Sequence, residues 1–217
     1  MSALPIAVTC GDPAGVGPEL LASWLRAHPE QASSVVPIGP ADWIARLGQG
    51  LAVGPQDFIT RPGQPDDAGQ LIAIEAMELA ARGATGARFA AVVTGPVNKK
   101  GLAGVGYVFP GQTEFFADAF AVADYGMLLT GATLSVGLAT IHEPLAKVPQ
   151  LLTTERIVSI GQLTAGFLKR RGIRHPRIAV AGLNPHAGEN GAFGDEEIRI
   201  IRPAIHRLND LAIATFS

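Results

Sequence analysis

Short apolar runs alternate along this chain with longer stretches of helical period. Five runs read as buried strands: Ile6–Thr9, Ser34–Ile38, Phe89–Val93, Leu134–Thr140 and Arg177–Ala181. Pro18–Ala27 predicts a helix with proline in its first turn and Leu21, Trp24 and Leu25 on one face. Ala68–Arg82 carries Leu71, Ile74 and Leu79 at helical spacing, with Gly83 as its expected stop. Thr154–Arg171 places Ile157, Ile160, Leu163 and Phe167 together. A threonine start and a Lys169-Arg170-Arg171 end suit its dipole. Glu196–Asn209 predicts a last helix kinked at Pro203, and Leu211–Ser217 reads as the opening of another strand. Strands alternating with helices indicate an α/β fold with a mainly parallel sheet.

Two stretches need a separate reading. Gly48–Gly69 is rich in Gly, Pro and Asp and predicts a surface connection, with one short strand at Asp57–Thr60. Tyr125–Ile141 holds no charged residue, but glycines interrupt it, and it falls short of the roughly 20 apolar residues of a membrane span. Two strands, Met127–Thr130 and Thr133–Thr140, joined at Gly131-Ala132, are expected there.

Composition narrows the class. The 217 residues suit one domain or two small ones, at roughly 100–200 residues per domain. With 47% hydrophobic and 17% charged residues, the chain can fill a core. A net charge of −2 supplies no basic field, so neither nucleic acid nor an anionic membrane is an expected partner. Cys10 is the single cysteine and has no internal disulfide partner. The N-terminus lacks the basic and apolar regions of a signal peptide, and a cytoplasmic protein is expected.

Several loops carry candidate chemistry. Gly11-Asp-Pro-Ala-Gly-Val-Gly-Pro-Glu19 joins the first strand to the first helix. Its glycine spacing is neither the dinucleotide fingerprint nor a P-loop, and a plain structural turn stands beside a ligand-binding reading. Thr94-Gly-Pro-Val-Asn-Lys99-Lys100 follows the third strand, where Lys99 would neutralise a phosphate or carboxylate or simply face solvent. Gln112 and Thr113 precede Phe115 and Phe116. They either donate to an anion at a helix start, or Thr113 is an ordinary N-cap. His142 and His186 each lie just past an apolar run. Two imidazoles at the carboxyl ends of neighbouring parallel strands would share a ligand, in the crevice where open α/β sheets bind. His28, His175 and His206 are weaker candidates. Glu189, Asp195, Glu196 and Glu197 would serve as carboxylate ligands or as solvated acids before a helix. Cys10 is expected to be a buried small residue.

Five segments together resemble the 4-hydroxythreonine-4-phosphate dehydrogenase family of vitamin B6 biosynthesis. They are GDPAGVGPE (Gly11–Glu19), TGPVNK (Thr94–Lys99), FPGQTEFFA (Phe109–Ala117), LATIHEPL (Leu138–Leu145) and GLNPHAGENGAFGDEE (Gly182–Glu197). The resemblance implies a two-lobed α/β/α subunit similar to isocitrate and isopropylmalate dehydrogenases. Residues 1–110 would belong to the first lobe and 111–217 to the second. It further implies a homodimer with interface active sites, NAD or NADP, and a divalent metal such as zinc, magnesium or cobalt. The expected reaction is oxidation of 4-phosphooxy-threonine, a small phosphorylated substrate, followed by loss of carbon dioxide. His142 and His186 correspond to two of the family's three metal-binding histidines. Gln112-Thr113 occupies its substrate-binding His-Thr position.

Two departures accompany the resemblance. Gln112 stands where histidine is common. The third metal histidine, in a Tyr-His-Asp-Gln-Gly-like motif, has no counterpart here, nor do the family's later substrate-binding Lys, Asn and Arg residues. The expectation is the N-terminal two-thirds of such an enzyme, binding metal weakly. A paralogue for another phosphorylated hydroxy acid or a cyclic diol, and a catalytically silent fragment, are the alternatives. No residue is assigned as general base or to the cofactor.

Overall fold

Ile6–Thr9 forms the first strand, β1, with Ala7 and Thr9 buried. The computed structural model describes residues 3–216. Met1, Ser2 and Ser217, which fall in the expected leaderless start and the expected last strand, lie outside them. The chain divides into two compact units, Met1–Ala123 and Asp124–Ser217.

In the first unit, β1 is followed by α1 (Gly17–Ala27), β2 (Val35–Pro40), α2 (Ala41–Leu47), β3 (Leu51–Val53) and α3 (Asp67–Thr85). The unit continues with β4 (Ala91–Thr94), α4 (Lys99–Gly104) and α5 (Gln112–Ala119). The four strands make one parallel sheet in the order β3-β2-β1-β4. Helix α3 lies on this sheet, burying Ile72, Ala76 and Ala80 against Ala7, Ile38, Val53 and Phe89. Asp66 caps α3 by accepting Gly69 N–H at 2.7 Å.

The structure corrects several expectations here. Leu51–Val53 is a strand although only three residues long, whereas 57–60 is not one. Thr60 is instead held to α2 by its N–H and hydroxyl, which donate to the two Asp42 carboxylate oxygens at 3.0 and 2.9 Å. Helix α3 passes through Gly83 to Thr85, and the glycine serves packing rather than termination: the Phe89 ring fills the space a side chain would need there. Helix α5 lies in the first unit, where Phe115 is buried with Met77 and Ala81.

The second unit opens with the hairpin β5 (Met127–Thr130) and β6 (Ser135–Leu138), paired antiparallel. The expected hairpin is therefore present and, among the described residues, no helix is long and apolar enough to cross a membrane. Next come α6 (Val148–Leu151), α7 (Thr154–Arg170), β7 (Arg177–Ala179), α8 (Arg202–Asp210) and β8 (Ala214–Phe216). Strands β7 and β8 pair in parallel. Helices α7 and α8 bury Ile157, Val158, Ile201, Ala204 and Leu208 between them. Burying a side chain such as Leu208 contributes about 2 kcal/mol. Thr153 caps α7 by accepting Arg156 N–H. In place of a simple kink at Pro203, Glu197–Ile201 forms a widened π-turn, closed by Arg202 N–H donating to the Glu197 carbonyl.

Strands β6 and β7 belong to separate two-stranded ladders. The expectation that His142 and His186 follow neighbouring strands of one parallel sheet is therefore corrected. The two strands are related through α7, whose core takes up Ala139 beyond β6 and Ile178 of β7.

Candidate functional site

In the first unit three sequence motifs meet at Gly95-Pro96. Asp12 N–H donates to the Pro96 carbonyl at 2.9 Å, and Gly95 N–H to the Thr9 carbonyl at 3.0 Å. Gly11 adopts φ +72°, and a Cβ there would lie 2.3 Å from the Pro96 oxygen. The loop after β1 is thus packed backbone against backbone onto the loop after β4, which realises the structural-turn reading of its glycines. Asp12, also buried, accepts Ala14 N–H and the Gln70 side-chain amide, each at 2.9 Å. Gln70, 2% exposed, leaves its Oε1 without a partner among the described residues. Cys10 is fully buried as expected, and burial pushes its thiol up to about 12.

The third motif reaches the same loop. Gln112 donates from Nε2 to the Gly95 carbonyl at 3.2 Å and lies 3.6 Å from the Met77 sulfur. Thr113 does not cap the helix: Gly111 is the N-cap and Thr113 falls in the first turn of α5. Lys99 is exposed, and a side chain on Gly111 would approach its Nζ within 3.6 Å. Lys99, Gln112 and Thr113 therefore gather at the start of α5, above the carboxyl ends of β1 and β4. One cation, one amide and one hydroxyl there can receive an anionic group.

The second unit carries both histidines. His142 has φ +57° and its imidazole is exposed. Arg156 of α7 steadies the approach to it, donating from Nε to the Ala139 carbonyl at 3.1 Å and from Nη1 to the Tyr125 carbonyl at 3.0 Å. His186, also exposed, opens a run of left-handed residues. Their φ values are +52° at His186, +52° at Ala187, +76° at Gly188, +40° at Glu189 and +57° at Asn190. Such backbone costs about 1–2 kcal/mol for each residue bearing a Cβ, so surrounding contacts must hold it. Backbone held this way clusters at ligand sites.

The acids following this turn are neither free ligands nor uniformly solvated. Asp195 is exposed, 3.4 Å from Arg199. Glu196 Oε2 accepts the Asn184 amide at 2.7 Å. Glu197 is only 7% exposed. Its Oε1 accepts Leu183 N–H at 2.8 Å and Asn184 N–H at 2.7 Å, and its Oε2 accepts Asn184 Nδ2 at 2.9 Å. Burial opposes its charge, but the Asn184 and Leu183 donors outweigh that and hold its carboxyl below the usual value. Sequence reasoning missed this role, since one acid among three neighbours carries no local mark of burial.

His28 stacks on Trp24 at 5.1 Å and pairs with Glu30, a local contact. His175 and His206 are exposed. The donor chemistry of His142 and His186 suits a divalent cation such as zinc. Among the described residues, no group of three or more His, Cys, Asp or Glu side chains is placed to hold a metal ion.

The family model described as pyridoxal phosphate biosynthetic protein PdxA matches residues 22–216. A 4-hydroxythreonine-4-phosphate dehydrogenase of Erythrobacter litoralis is 39% identical, over 94% of this chain and 69% of that protein. A D-threonate 4-phosphate dehydrogenase of Pectobacterium atrosepticum is 35% identical, over 97% of this chain and 73% of that protein. The crystal structure of 4-hydroxythreonine-4-phosphate dehydrogenase from Klebsiella pneumoniae superimposes with a TM-score of 0.88 at 32% identity. That match covers 99% of this chain and 74% of the other.

Proposed function

The chain belongs to the family of pyridoxal phosphate biosynthetic protein PdxA, and on that premise we propose that it oxidises the secondary hydroxyl of 4-phosphooxy-threonine with NAD or NADP. As a member of a family whose similar relatives are dehydrogenases, it is an oxidoreductase. With NAD or NADP bound, the carbinol carbon would give it hydride and the hydroxyl proton would leave to solvent. The resulting 2-amino-3-oxo acid would then lose its carboxylate as carbon dioxide, the bond's electron pair passing into the ketone as an enolate that takes a solvent proton on the α-carbon.

The observation that carries this reading is the pair of exposed histidines on left-handed backbone, His142 and His186. Imidazoles held this way are suited to grip a divalent cation. When bound, that cation supplies Lewis-acid polarisation of the substrate hydroxyl. Within the first unit, Lys99, Gln112 and Thr113 are the donors for an anionic group. Lys99 brings charge, while Gln112 and Thr113 bring hydrogen bonds that fix orientation. A cytoplasmic homodimer is part of the same reading.

The test is NADH or NADPH formation with 4-phosphooxy-threonine by the wild type, H142A and H186A. Loss of about a hundredfold or more in kcat/KM is expected for each histidine variant. Unchanged turnover in both would remove the histidines from the reaction.

A second reading is supported by Gln112. Its amide is neutral and engaged at the Gly95 carbonyl, and one relative is named for D-threonate 4-phosphate. That substrate carries a hydroxyl where the threonine derivative carries an ammonium. Higher kcat/KM on D-threonate 4-phosphate would assign the chain to this second substrate.

A further inference from the structure

We propose that Glu197 is a positioning residue for His186, acting through Asn184 and the left-handed turn between them. The inference rests on the reading of His186 as a metal ligand.

The turn from His186 to Asn190 cannot hold itself, because four of its five residues carry a Cβ in left-handed backbone. Glu197 fastens it at two places. Ahead of the turn, its carboxylate accepts Leu183 N–H, Asn184 N–H and the Asn184 amide. Pro185 then restricts the single residue left before His186. Within the turn, the space a side chain would need at Gly188 is filled by Glu197 Oε2, 2.7 Å from the Cβ position. Gly194 leaves the matching space for Asn184 Nδ2, at 2.5 Å. Gly188 and Gly194 therefore both leave room for the pairing of the buried Glu197 carboxylate with the half-buried Asn184 amide, although Gly188 also faces the Gly194 carbonyl and Gly194 the Glu196 carboxylate.

Glu197 is itself fixed from behind. It begins the π-turn, whose Ile200 and Ile201 side chains are buried in the core, and Thr154 of α7 donates its hydroxyl to the Ile200 carbonyl at 3.0 Å. A continuous set of contacts thus runs from α7 through the π-turn, Glu197 and Asn184 to His186. The carboxylate already accepts three N–H groups, so its place is behind the ligand.

Zinc titration of the full chain, read from the imidazole 15N shift of His186 and from chelator competition, tests this. Glu197→Gln keeps the size but sets an amide nitrogen against Asn184 Nδ2, donor against donor. Expected is an about tenfold loss of zinc affinity and a smaller His186 shift. The double variant H186A/E197Q should bind no more weakly than H186A, because Glu197 acts only through that imidazole. E196Q/E197Q should recover most of the loss, since the Asn184 amide can then turn over and accept from both glutamines. Asn184→Ala, which spares the backbone contacts of Glu197, should lose several-fold and serves if E197Q does not fold.

A merely structural role would lower the melting temperature without moving the His186 shift, and that result overturns the proposal. So would multiplying losses in H186A/E197Q, or weaker binding by E196Q/E197Q than by E197Q. Wild-type zinc affinity in H186A would overturn the ligand reading itself. Loss in H186A with none in E197Q or N184A would overturn this inference alone.

Discussion

Two glycine-rich segments, Gly11–Gly17 in the first unit and Gly182–Gly194 in the second, look alike in sequence and are closed differently. In the first, glycine lets two backbones touch: Gly11 stands against the Pro96 and Gly95 carbonyls, and the loop is largely buried. In the second, Gly188 makes room for a side chain, Glu197, as well as for the Gly194 carbonyl, and the loop presents an exposed histidine. A loop closed by backbone contacts has nothing that can yield. One closed partly by a side chain has one neighbour, the Glu197 carboxylate, that can shift and one, the Gly194 carbonyl, that cannot.

The contrast breaks first at Gly11. G11A adds a Cβ at 2.3 Å from a backbone oxygen, at positive φ, and should cost about 3 kcal/mol. Urea unfolding measures it, and a loss below about 1 kcal/mol would show that the two backbones can separate. G188A meets the Glu197 carboxylate end at 2.7 Å and the Gly194 carbonyl at 2.8 Å, both farther than the carbonyl that Gly11 faces, so about 2 kcal/mol is expected, much of it from the left-handed backbone. A loss equal to that of G11A would erase the distinction.

Acid sharpens the comparison further. The Glu197 carboxyl is held below its usual 4.5 in the folded chain. Its contribution is complete above the unfolded value and is lost as pH falls through the folded value. Stability should therefore decline below about pH 4.5, and E197Q should show a shallower decline. Parallel profiles for wild type and E197Q would mean that Glu197 gains nothing from its charge. The smallest effect belongs to Cys10 in the closed loop. With its thiol pushed up to about 12, a disulfide reagent at pH 8 should label it only after unfolding. Fast labelling of the folded chain would show that the loop opens.

Much of this was legible along the chain. Ile6–Thr9 is a strand as read, and α1 and α7 lie close to where the apolar spacing put them. The hairpin around Gly131 followed from interrupted apolarity. Leu51–Val53 was not legible, since three residues give no period, and it is a strand only because Ile38–Pro40 pairs with it. The histidines stood out by position, but their relation did not. Only pairing shows that β6 turns back on β5 while β7 joins β8.

The sequence by itself determined the alternation of strands and helices and the chemistry available at loop ends, because periodicity and residue type are local properties. Tertiary structure alone decided which of those groups face which. Asp12 and Gln70 meet across 58 positions, and Glu197 is buried while Asp195 is exposed. Burial and hydrogen-bond partners depend on the packing of distant segments, and no local pattern carries that information.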